Sequence, residues 1–160
     1  MKKLFLTLLL GLAALTTFAQ IPEIVLRDLD GRTISTDTLS NDGKPFIISF
    51  FASWCKPCNR ELSNIAEVYE DWQEETGVKL YAVSIDEGQN AQKVKPFVDS
   101  HEWPFHVLLD PNSDFRRVLG INMIPHTLIF DGEGRIVSSK SGYQEGSEEH
   151  IIETIRKLIK

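Results

Sequence analysis

Cysteine is nearly absent: the 160-residue chain holds two, which argues against a scaffold stapled by several disulfides. Positive charge is also scarce. Lys and Arg number 17 against 23 Asp and Glu, a net charge of −6, so the chain offers nothing to nucleic acid and little to an anionic membrane surface. No apolar run reaches the about 20 residues of a membrane-crossing helix, and there is no internal repeat, low-complexity tract or flexible linker. These absences leave one ordinary domain, large enough to bury a core unaided, with protein partners as the expected substrates.

The N-terminus carries a different signature. Met1-Lys2-Lys3 is a short basic start, Leu4 to Leu15 is apolar apart from Thr7 and Gly11, and Thr17-Phe18-Ala19 offers small residues where a signal peptidase reads. The sequence thus predicts a signal peptide over 1–19 and a single domain over 20–160 that starts at Gln20, exported across the inner membrane to a periplasmic location. An uncleaved membrane anchor is the alternative. Removing a leader with two lysines and no acid takes the charge from −6 to −8.

Both cysteines lie in Trp54-Cys55-Lys56-Pro57-Cys58, directly after the apolar run Phe46 to Ala52. If a buried strand turns into a helix here, thiols at i and i+3 share one helical face at a spacing a disulfide tolerates. Cys55 would stand at the helix N-terminus, where free N–H groups and the dipole favour a thiolate, and Cys58 would resolve the mixed disulfide. Pro57 suits a first turn, which needs no N–H donor there. A zinc site with His101 and His106 is the competing reading, but 42 residues separate Cys58 from His101, against roughly 12 to 15 in finger patterns. A purely structural staple closes too short a loop to constrain the unfolded chain. Glu61, three residues past Cys58, is either a proton-handling carboxylate or a surface acid near a helix end.

Along the chain, Ile24 to Leu29 and Arg32 to Ser35 flank Asp30-Gly31 and predict a two-stranded flap. Phe46 to Phe51 reads as a strand covered on both faces. Leu62, Ile65, Ala66, Tyr69 and Trp72 fall at helical spacing, and Gly77 stops that helix. Val78 to Ile85 is a second central strand, Asn90 to His101 a helix interrupted by Pro96, and His106 to Leu109 a further strand. A short helix over Ser113 to Leu119, a strand over His126 to Phe130, a return through Arg135 to Ser138 and a last helix N-capped by Ser147 complete the pattern. That last helix has Ile151, Ile152, Ile155, Leu158 and Ile159 as its buried stripe.

This order resembles the thioredoxin fold, an α/β architecture with a central mixed sheet flanked by helices. The segment from Glu87 to Asn112 resembles the insertion of the secreted TlpA-like and ResA-like subgroup. The motifs that carry the likeness are Phe51-Ala52-Ser53-Trp54-Cys55-Lys56-Pro57-Cys58, Trp103-Pro104-Phe105-His106-Val107-Leu108-Leu109-Asp110, and Gly120-Ile121-Asn122-Met123-Ile124-Pro125. The resemblance implies a redox disulfide between Cys55 and Cys58, a catalytic Glu61, and a substrate platform made by Trp54, Pro57, Ile124 and a cis-Pro125. The backbone of Ile124 would pair with an extended substrate. Three positions depart from the pattern. Ser49 stands where thioredoxin has a buried acid, Ser63 where relatives often have a kinking proline, and His126 where a small hydroxyl residue is usual. His126 either tunes the pair or faces away.

The function read from this is thiol-disulfide exchange with protein thiols and disulfides. The resemblance implies an extracytoplasmic reductase, serving among others the thiols that await haem attachment. No cofactor, resident metal or nucleic acid is expected, and a membrane or soluble thiol would donate electrons. The alternatives are a copper(I) chaperone of similar fold, whose relatives space their cysteines one residue wider, and a peroxiredoxin-like peroxidase, which would place its attacking cysteine in a different turn.

Overall fold

A computed structural model describes residues 21–160. The expectations for 1–19 and for a start at Gln20 lie outside the described residues. Among the described residues one seven-stranded mixed sheet and four α-helices form the fold.

The strands are β1 (Val25–Asp28), β2 (Thr33–Ser35), β3 (Phe46–Phe51), β4 (Lys79–Ser84), β5 (His106–Leu109), β6 (His126–Phe130) and β7 (Ile136–Ser141), arranged β2-β1-β5-β4-β3-β6-β7. β3 runs parallel to β4 and antiparallel to β6, and β4 runs parallel to β5. All six residues of β3 are buried, as its apolar run requires of a strand covered on both faces.

The helices are α1 (Lys56–Thr76), α2 (Val94–His101), α3 (Asp114–Val118) and α4 (Ser147–Leu158). α1 packs on α4 and against β3. Strand alternation puts Ser49 and Phe51 on one face and Phe50 on the other. Phe51 meets Trp103, whose ring also meets Phe97 of α2. Phe50 meets Phe115 of α3 on the opposite face. The inserted segment is therefore locked onto the same layer as α1, and Tyr69 against Phe105 extends that aromatic contact. Gly77 ends α1 with φ of 68°, the left-handed conformation that glycine adopts without a steric cost. A Cβ at Gly132 would lie 1.9 Å from the Gly43 carbonyl oxygen, so only glycine lets the β6–β7 turn close on that loop.

Several expectations need correction. The β1–β2 hairpin is no separate flap, because β1 pairs antiparallel with β5 and widens the sheet. Pro96 does not interrupt a helix. It sits in the first turn of α2, where a missing N–H is harmless, and a 3-10 turn over Gly88–Lys93 precedes it. Ser147 is not the N-cap of α4; Gly146 takes that place with φ of 83°, and the Ser147 hydroxyl turns back to Gln144. Ile159 lies exposed beyond the last turn instead of in the buried stripe. β7 reaches Ser141, three residues further than expected.

Candidate active site

β3 delivers the cysteines at its C-terminal end, the end of a parallel sheet where chemistry gathers. Cys55 N-caps α1, and its Sγ accepts a hydrogen bond from the Cys58 backbone N–H at 3.3 Å. The two sulfurs form a disulfide with a Cα separation of 5.3 Å, within ordinary reach for such a bond. Cys55 retains 6 % exposure and Cys58 none. Pro57 occupies the first turn of α1. Trp54 is 63 % exposed beside the pair.

The loop before Cys55 is held by a group the sequence reading did not single out. Asp86, buried just past β4, accepts from the Ser53 N–H at 2.8 Å, the Ser53 hydroxyl at 2.7 Å and the Ser84 hydroxyl at 2.8 Å. Asn59 donates to the Ser53 carbonyl at 2.9 Å from the other side. The available signal was a pair of polar residues, Ser84 and Asp86, emerging at the active end of an apolar strand. Asp86→Ala leaves these donors without their acceptor, and unmade buried hydrogen bonds of this kind cost about 1–3 kcal/mol. Calorimetry of the oxidised protein is expected to show a loss of about 2 kcal/mol on that scale, with the Ser53–Trp54 loop loosened.

Glu61 is 2 % exposed, so the surface-acid reading is wrong. One turn past Cys58 on α1, it shares that residue's helical face. Thr127 donates to its Oε1 at 2.7 Å, and Ser49 lies 3.4 Å from the same oxygen. Burial pushes the Glu61 carboxyl above its ordinary value, against the opposing pull of the Thr127 and Ser49 hydroxyls and of Lys140; Glu148 adds a further upward push. Ser49, the position that lacks the usual acid, and Thr127, a polar residue inside an apolar strand, thus form the floor of a carboxyl site. Thr127 was not foreseen, although a hydroxyl in a strand buried on both sides demands a partner.

The peptide bond between Ile124 and Pro125 is cis, as the resemblance implies. His126 points to the sheet face opposite Thr127, and its ring nitrogens engage Ser141 at 2.7 Å and Ser139 at 3.0 Å on β7. Its desolvation lowers its pKa. Ser63 accepts from the Trp103 indole N–H at 3.2 Å, which ties uninterrupted α1 to the inserted segment. The His101 ring meets those of Phe97 and Trp103 at a tilt, and His106 sits beside Tyr81. Trp54, Met123 and Ile124 line a cleft of about 520 Å³ with Glu87, Arg116 and Asn122.

Residues 18–139 match the AhpC/TSA family. The thiol-disulfide oxidoreductase ResA of Halalkalibacterium halodurans is 30% identical over 141 residues, covering 88% of this chain and 76% of that protein. An uncharacterized thioredoxin-like protein from Porphyromonas gingivalis, solved in solution, is 55% identical with a TM-score of 0.78, covering 89% of this chain and 94% of its own. The crystal structure of StoA from Bacillus subtilis is 26% identical with a TM-score of 0.66, covering 83% and 96%.

Proposed function

We propose, from the premise that this chain belongs to the AhpC/TSA family and is a thiol-disulfide oxidoreductase, that it works outside the cytoplasm as a reductase of protein disulfides. The observation that carries this reading is the Cys55–Cys58 disulfide at the end of the central strand, with its only exposure on Cys55. Export rests on the leader-like start of the sequence. No helix among the described residues is long and apolar enough to cross a membrane.

In the reduced enzyme the Cys55 thiolate attacks one sulfur of a substrate disulfide. The S–S electron pair leaves with the other sulfur, which takes a proton from solvent. Cys58 then gives its thiol proton to the Glu61 carboxylate and attacks the Cys55 sulfur. That step expels the second substrate thiolate, which takes up the proton through Glu61 or water. The substrate gains two electrons and two protons, and the enzyme is left with the Cys55–Cys58 disulfide. Trp54 and Pro57 flank the attacking sulfur, and the backbone of Ile124, ahead of Pro125, pairs with an extended substrate segment. A membrane or soluble thiol restores the dithiol. Thiols awaiting haem attachment fall within this substrate class.

The reduction potential of the pair tests the direction. A value toward that of thioredoxin, about −270 mV, is expected, whereas one near −120 mV belongs to an oxidant and would reverse the assignment. Copper(I) retention by the reduced protein, or rapid peroxide consumption, would favour the chaperone or peroxidase reading instead.

A further inference from the structure

Arg116 stands apart from the other groups in the cleft beside the cysteines. It belongs to α3, whose start is capped by Asp110 accepting from the Phe115 and Arg116 backbone N–H groups at 3.3 and 3.0 Å. The backbone is thereby fixed, and the side chain runs into the cleft lined by Trp54, Met123 and Ile124. Its Nε is buried and has no hydrogen-bond partner, and the guanidinium forms no ion pair among the described residues. Glu87 lines the same cleft without bonding to it. A guanidinium that is partly desolvated and unpaired is an incomplete site, because its N–H groups form a fork that matches a carboxylate. Trp54 and Met123, 63 % and 61 % exposed, are the large apolar side chains at the rim.

We propose that Arg116 is a specificity residue: it pairs with an aspartate or glutamate near the reacting cysteine of an extended substrate segment, while an apolar neighbour of that cysteine rests against Trp54 and Met123. This rests on the reading that the Cys55–Cys58 pair exchanges with polypeptide disulfides at this cleft. The charge complement comes from the substrate because no described residue supplies one to Arg116.

The test is single-turnover reduction, by pre-reduced enzyme, of short peptides whose one cysteine is held in a mixed disulfide with glutathione. A set with Glu scanned through the three positions on each side of the cysteine is compared with its Gln counterparts. Charge-assisted hydrogen bonds are stronger than neutral ones, so at a half-open site the best Glu peptide is expected to react about 10-fold faster than its Gln partner at subsaturating concentration. The preference should shrink with added salt. Arg116→Met should remove the preference, so that the best Glu peptide reacts no faster than its Gln partner, and Arg116→Lys should restore part of it. Equal rates for Glu and Gln peptides with the wild-type protein at every position would overturn the proposal without any variant. A preference that survives in Arg116→Met would do the same. Failure of wild-type enzyme to reduce any peptide in the set would instead defeat the exchange reading, and this inference with it.

Discussion

Cys55→Ser is expected to abolish disulfide exchange, with rates falling at least about 10³-fold because no attacking thiolate remains. Cys58→Ser should fail differently. Its Cys55 attacks as before, the mixed disulfide forms, and the resolving step is missing, so covalent complexes accumulate that denaturing, non-reducing electrophoresis displays. The physical basis is the difference in access: Cys55 caps the helix and is the only one of the pair that solvent reaches, while Cys58 is fully enclosed. An intramolecular resolving thiol acts at very high effective concentration, which is why its loss stalls the reaction at the complex. Alkylation of the reduced protein near pH 7 should label Cys55 first. Preferential labelling of Cys58, or complexes accumulating in Cys55→Ser, would reverse the roles.

Glu61→Gln should slow resolution by about 10²-fold, the lower range for a positioned acid or base, and should change the shape of the pH profile between pH 5 and 9. Gln keeps the acceptor oxygen for Thr127 but can neither take nor release a proton. With a like charge gone from beside the pair, the thiols should titrate at lower pH than in wild type. Stability gives an independent readout. Burial raises the Glu61 carboxyl above its ordinary value, so the folded protein holds a proton that the unfolded chain releases near pH 4.3. The stability of wild type is therefore full below that ordinary value and declines as pH rises toward and through the raised one. Glu61→Gln should lack this decline. Identical pH profiles of exchange in the two proteins would leave Glu61 as a buried structural acid.

Much of this is legible in the sequence. The uninterrupted apolar run at Phe46 to Phe51 marks a strand covered on both faces, and the i, i+3 cysteines after it place the reacting pair at a helix start. Gly77 marks the stop of α1 because few other residues tolerate its conformation. The misreadings have two causes, a partner distant in sequence or a local turn that takes the place of the expected cap. The hairpin looks free-standing until β5 supplies a neighbour 80 residues later. Ser147 has the composition of a cap, but Gly146 takes the left-handed turn and displaces it into the helix. Asp86, Thr127 and Arg116 sit in no motif. The first two become visible only when β4 and β6 bring them to Ser53 and Glu61, and the third only when α3 turns it toward Trp54.

The sheet order has one further consequence, for association between copies. The reacting strand β3 is central, paired with β4 on one side and β6 on the other, and the two rims of the sheet are β2 and β7. β2 is three residues long and runs straight into a 3-10 turn over Thr36–Thr38, too short to template another strand. β7 is longer, but it pairs with β6 through a register shift at Ile129/Phe130, and three serines and Lys140 fill its last four positions. Brevity on one rim, and irregular pairing with a lysine on the other, are ways that sheets resist growing edge to edge. Both rims thereby resist the addition of a strand from a second copy.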